Sequence, residues 1–219
     1  MNGDSIRTAG NANATAAYKQ SMEAGMGNIA TMNQDSKGNW TMSSLTEDQQ
    51  MSMTGAQADM YKSLNTMIGD SKTASFNLID QSSTLSNQIL IGDNGAAPAG
   101  YTVTPGVHTI DMGDVKNMGT TGVLTSYGAL MHETSEGFQI QTKGATGTDA
   151  HFDTAIPTES AVNGVSINLS RRSQPTVGGT GNKQTVSIPV TVNGVQRTVT
   201  INFVNGNIQP FGVQNNNRP

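Results

Sequence analysis

His132, Glu133 and Glu136 crowd one stretch, residues 128–141, in a chain where charged residues make up only 13%. Four apart on a helix, His132 and Glu136 share a face one turn apart. An imidazole nitrogen and a carboxylate oxygen then reach one cation at ~2.0–2.2 Å. Glu133, turned ~100° from His132, stands beside that cation, where it can hold and deprotonate a water. The chemistry this spacing suggests is metal-assisted hydrolysis. The competing reading of the same three side chains is the solvated face of an ordinary helix.

The pattern matches the His-Glu-x-x-His zinc helix of metallopeptidases, with Glu136 in place of the second histidine. With no cysteine in the chain, a metal can draw only on its three histidines and its carboxylates. His151 lies fifteen residues beyond Glu136, and Glu159 twenty-three beyond; either distance lets a turn and a return helix bring a third ligand back. His132, Glu136 and His151 give the two-histidine, one-carboxylate balance of catalytic zinc sites. Glu159 in place of His151 gives a harder set, less suited to zinc. His151 is therefore the expected ligand to a single Zn2+, and Glu159 a supporting residue behind the ligands or an alternative ligand. Glu133 is the expected general base, activating a metal-bound water for peptide-bond hydrolysis. Tyr127 and His108 are candidates for stabilising an oxyanion in the cleft.

These residues need elements to position them. Leu124, Tyr127, Met131 and Phe138 form a narrow apolar stripe at helical spacing, and Lys143-Gly144 signals the end of that helix. Residues 149–163 predict a second helix closed by Gly164, with Pro157 expected to interrupt it. Upstream, Thr46…Gln49 and Thr54…Gln57 read as capping boxes. The second opens a helix with Ala56, Met60, Leu64, Met67 and Ile68 on one face, ended by Gly69. Residues 75–79, 88–91 and 107–111 are short strand-like runs, the last carrying His108 and Asp111, with Asp114 just beyond it. Downstream, alternating residues on either side of Asn193-Gly194 predict a type I′ hairpin pairing Val192 with Val195, Ile188 with Val199 and Val186 with Ile201. Pro189 implies that its strand is an edge. Residues 165–169 add a third strand, and the tail 215–219 is expected to fray. Trp40 is expected to pin the N-terminal region to the core.

Residues 130–138, followed by Ala150-His-Phe-Asp-Thr-Ala155 and Glu159-Ser-Ala-Val-Asn-Gly164, resemble the zincin-like metallopeptidase toxin domains at the C-termini of bacterial Rhs-type and other polymorphic secreted proteins. The likeness spans about residues 75–165. It implies a secreted effector acting on a competitor or host, with a cognate immunity protein as partner in the producing cell. The expected fold is α+β and zincin-like: a small, mostly antiparallel sheet on an active-site helix, plus a C-terminal β-hairpin. The expected divisions are a poorly structured or loosely helical segment 1–45, a catalytic core 46–170, and a hairpin subdomain with tail 171–219.

Composition narrows the partners. A net charge of −4 and a pI of about 5.2 give no electrostatic case for nucleic acid or an anionic membrane surface. No apolar run approaches the ~18 residues of a membrane span. The N-terminus lacks the layout of a signal peptide, which implies signal-independent secretion, release from a larger protein, or a cytoplasmic location. Two rival functions share these features. One is a non-catalytic binding or structural module of a surface or phage-tail-like assembly; the other is a metal-dependent amidase acting on cell-wall amides.

Overall fold

A computed structural model of the chain describes residues 6–80, 90–91, 107–119, 123–170, 176–205 and 207–217. Strand β1 (Ile6–Gly10) leads into α1 (Ala12–Gly25), whose N-cap Asn11 accepts the Ala14 N–H. A hairpin of β2 (Met32–Gln34) and β3 (Trp40–Met42) follows. Thr46 and Thr54 then close full capping boxes on α2 (Glu47–Met51) and α3 (Gly55–Ile68), as their spacing requires. Next come β4 (Ala74–Ile79), β5 (Leu90–Ile91), β6 (His108–Asp111), α4 (Met112–Met118) and α5 (Ser126–Phe138). Helix α5 runs on into a π-helical turn, Gln139–Lys143. α6 (Gly147–Ala150), a second π-helical turn, His151–Ala155, and α7 (Ile156–Asn163) follow one another without a break and end at Gly164. The chain finishes with β7 (Ser166–Ile167), β8 (Thr176–Thr180), β9 (Lys183–Val192), β10 (Val195–Val204) and β11 (Asn207–Asn217).

The fold is α+β, with two main sheets. The first has the order β1-β4-β6-β5, in which β1, β4 and β6 run parallel and only β5 is antiparallel. This corrects the expectation of a mostly antiparallel sheet beneath the active-site helix. Parallel neighbours need a long crossover, and α1 to α3 supply it between β1 and β4. Residues 6–45 are likewise not loosely structured. Ile6, Tyr18, Met22, Met26, Met32 and Trp40 are at most 1% exposed, because β1 pairs with β4 from Ile6↔Ala74 onwards. Trp40 is buried as expected, donating its Nε1–H to Thr8 Oγ1 at 2.8 Å and lying 5.5 Å from Tyr18, ring to ring. Of the strand-like run 88–91, Gln88 and Ile89 lie outside the described residues.

The second sheet is antiparallel, ordered β11-β10-β9-β7, with β8 also on β9. Its hairpin has the predicted register: Val192↔Val195, Ile188↔Val199 and Val186↔Ile201. Pro189 corrects the edge assignment, because β9 lies inside the sheet. On its far side β7 pairs at Val190–Thr191 and β8 at Lys183–Ser187, leaving Pro189 in the gap, where no N–H is needed. Its carbonyl accepts the Asn168 N–H at 2.8 Å. The tail is no fray as far as Asn217, since Asn215, Asn216 and Asn217 pair with Val199, Thr198 and Arg197; Arg218 and Pro219 lie outside the described residues.

Candidate metal centre

Helix α5 is capped by Thr125 and buried along most of its circumference, with Ala129, Leu130, Met131, Thr134, Ser135 and Phe138 all enclosed. The flank left partly open carries His132, Glu133 and Glu136. Tyr127, placed on the apolar stripe by its spacing, packs half-buried against the core around α1.

His151 comes from the second π-helical turn. An α-helix would set His151 and Glu159, eight residues apart, ~80° from each other around the axis. The wide turn takes up one residue, so that the eight behave as seven and the two side chains come within ~20°. Pro157 does not break the second helix as expected. It falls at the second position of α7, directly after the wide turn whose Ile156 N–H reaches back to His151 O.

The geometry that results is tight. His132 Nε2, His151 Nδ1 and Glu136 Oε2 form a triangle with sides of 3.0 Å (His132–His151), 3.0 Å (His151–Glu136) and 3.3 Å (His132–Glu136). Donors around a tetrahedral ion with bonds of ~2.0–2.1 Å lie ~3.3 Å apart, so two imidazoles and a carboxylate at this spacing fit one face of such an ion. Among the described residues these three form a group able to hold one metal ion.

Glu159 does not join the triangle. Its Oε2 lies 2.8 Å from His132 Nδ1, on the far side of the ring. It therefore stands behind His132 and is not the third member of the triangle. A carboxylate on the other nitrogen of a ligating histidine fixes the ring's tautomer and orientation.

The charges are strongly coupled. Burial opposes a charged His132, but Glu136 and Glu159 outweigh it and raise its pKa well above the ordinary value. Burial also resists ionisation of Glu136, yet the two histidines bonded to it hold its pKa low. Glu133 is pushed up to about 8, first by burial and then by the neighbouring Glu136 and Glu159, with His132 acting in the opposite sense.

His108, expected near the cleft, is instead a core residue at 1% exposure. It packs on Phe76, ring centroids 6.3 Å apart, beneath α5 at Gly137. His108 and Tyr127 are thus packing groups for the helix, and the triangle includes neither of them. Asn163, whose side chain grips the start of α5, carries no signal in the sequence beyond the helix end that Asn163-Gly164 marks.

No family model, curated protein or solved structure matches this chain. The functional reading therefore stands on the site itself.

Proposed function

We propose that this protein is a metal-dependent peptidase, most simply with zinc, built on a zincin-like plan. The observation that carries the reading is the convergence of His132 Nε2, Glu136 Oε2 and His151 Nδ1 within 3.0–3.3 Å, from two separate helical segments. Support for the plan comes from a small sheet that precedes α5 and ends in an antiparallel edge strand, β5. In zincins such a strand lines the cleft where a peptide binds by strand addition.

A divalent ion held there supplies Lewis acidity and brings the pKa of water towards ~7. The chain's own residues divide the remaining work. His132, Glu136 and His151 are the ligands. Glu159 keeps the proton on His132 Nδ1, which leaves the Nε2 lone pair facing inward. Glu133 takes the proton of the attacking water and returns it to the leaving amine. The likeness of residues 75–165 to Rhs-type toxin domains supports a wider proposal: a secreted bacterial effector restrained by an immunity protein.

Elemental analysis of the wild type beside H132A, E136A and H151A, with a peptide-library cleavage assay, tests this reading. The expected result is one zinc per wild-type chain, its loss in the three variants, and an E133Q protein that keeps zinc but cleaves about 10²–10⁴-fold more slowly. A wild type without stoichiometric metal overturns the proposal and favours the non-catalytic module. A zinc protein that cleaves only cell-wall amides favours the amidase.

A further inference from the structure

We propose that Asn163 is a positioning residue for the metal centre: by tying the start of α5 to the end of α7, it sets the register at which Glu159 meets His132. The inference rests on the metal reading above and adds to it a residue that touches neither ligand nor metal.

The Asn163 Oδ1 accepts two bonds from Thr125, the N-cap of α5: from its N–H at 3.0 Å and from its hydroxyl at 2.6 Å. The Thr125 hydroxyl oxygen already does an N-cap's usual work by accepting the Gly128 N–H at 3.0 Å. Asn163 therefore adds a tie that capping alone does not require. The amide is held for its oxygen, because Asn163 Nδ2 is buried with no hydrogen-bond partner among the described residues. Gly128 makes the approach possible, since a Cβ there would lie 2.7 Å from Asn163 Cγ.

The placement of these contacts gives them their purpose. Asn163 follows Glu159 by four residues, one turn along the same face of α7. Thr125 precedes His132 by seven, two turns along α5. The same face of α7 thus meets α5 at two points, Asn163 on Thr125 and Glu159 on His132. A single contact leaves one helix free to pivot on the other, whereas two fix both sliding and rotation. Without the tie from Asn163 to Thr125, the 2.8 Å bond between Glu159 and His132 Nδ1 is left to hold the register with apolar packing alone beside it.

The test compares N163A, N163D and G128A with the wild type. N163D keeps the acceptor oxygen, and G128A displaces the amide without removing it. Zinc affinity is measured by competition with a chromophoric chelator. Separately, proton NMR of the metal-free protein follows the downfield His132 Nδ1–H, assigned by its loss in H132A. N163A and G128A should bind zinc about 10-fold more weakly, the lower end of what supporting carboxylates contribute, and should lose the resonance. N163D should stay within about threefold of the wild type and keep the signal. Wild-type affinity and an intact resonance in N163A, even with a lowered melting temperature, overturn the proposal and leave Asn163 a purely structural residue. Should N163A fail to fold, G128A against N163D decides by the same two readings. A wild type that takes up no zinc defeats the metal reading, while the resonance still judges the clamp.

Discussion

At the scale of single residues, the site separates carboxylates of one type by what each one faces. Glu136 points its Oε2 at both imidazoles of the triangle, whereas Glu159 meets only the outer nitrogen of His132. The two should respond differently to the same change. E136Q replaces an anionic donor in the triangle with a neutral amide and should reduce zinc binding by more than about 100-fold. E159Q leaves all three donors in place and should cost only about 10–100-fold, as removal of a carboxylate behind a ligating histidine does. Chelator competition on the two variants checks this order, and an equal or reversed effect would make Glu159 a direct ligand. The i,i+4 pair was legible in the sequence because helical spacing is local. Glu159 could be read only as a supporting residue or an alternative ligand, because the choice between them depends on how α7 lies against α5. Asn163 escaped notice for the same reason, since its partner Thr125 stands 38 residues earlier.

At the scale of elements, α5 is held at both ends as well as along its length. Beyond its C-terminal end, Gln141 lays its amide on β4, accepting the Ser75 N–H at 2.8 Å and donating to the Ser75 carbonyl at 3.0 Å. Lys143 pairs with Asp70, and the Lys72 ammonium donates to the Thr142 carbonyl. Between the ends, Gly137 lets the helix backbone sit directly on the sheet: a Cβ there would lie 2.6 Å from Phe76 Cε1 and 3.2 Å from His108 Cγ. An exposed helical Gly→Ala change gains about 1 kcal/mol. At Gly137 the overlap should reverse that sign, and G137A should be destabilised by about 1–3 kcal/mol, the usual cost of overpacking. Denaturant midpoints measure it, and a stabilised G137A would mean that α5 is not seated against Phe76 and His108. The capping boxes of α2 and α3 and the register of the β9–β10 hairpin were readable because each signal lies within a few residues of its partner. The pairing of β1 with β4, 68 residues apart from Ile6 to Ala74, left no local pattern, so the N-terminal segment read as poorly structured or loosely helical. Pro189 misled for a related reason: it marks a missing N–H, and the gap between β7 and β8 meets that need as well as an edge does.

At the scale of the whole molecule, two apolar cores are joined through shared helices. Met112 and Val115 of α4 belong to the core beneath the parallel sheet, while Met118 of the same helix belongs to the core of the antiparallel sheet. Leu130 and Ala129 divide in the same way on α5, as do Val162 and Ile156 on α7. One polar link between the halves is Asp114, fully buried, whose Oδ1 accepts the Ile208 N–H of β11 at 2.8 Å, with Asn117 of α4 donating to the Ile208 carbonyl at 2.8 Å. Burial raises the Asp114 pKa from 3.8 to about 7; the Ile208 N–H offsets part of the rise, and nearby Asp111 adds to it. The sign follows from linkage. Below about pH 4 the carboxyl is protonated whether the chain is folded or unfolded, and its contribution is fully present. As the pH rises towards 7 the unfolded chain gives up this proton while the folded chain keeps it, so stability is lost across that window and levels off above it. D114N keeps the acceptor for Ile208 but cannot ionise. Its stability relative to the wild type should therefore climb between pH 4 and pH 7 by up to a few kcal/mol, since each tenfold difference in proton affinity between the two states is worth ~1.4 kcal/mol. Urea denaturation of both proteins at pH 4, 5.5, 7 and 8 measures the difference. A gap that stays constant across the series would mean that Asp114 ionises in the fold as readily as in the open chain, and that the α4–β11 link carries no buried proton.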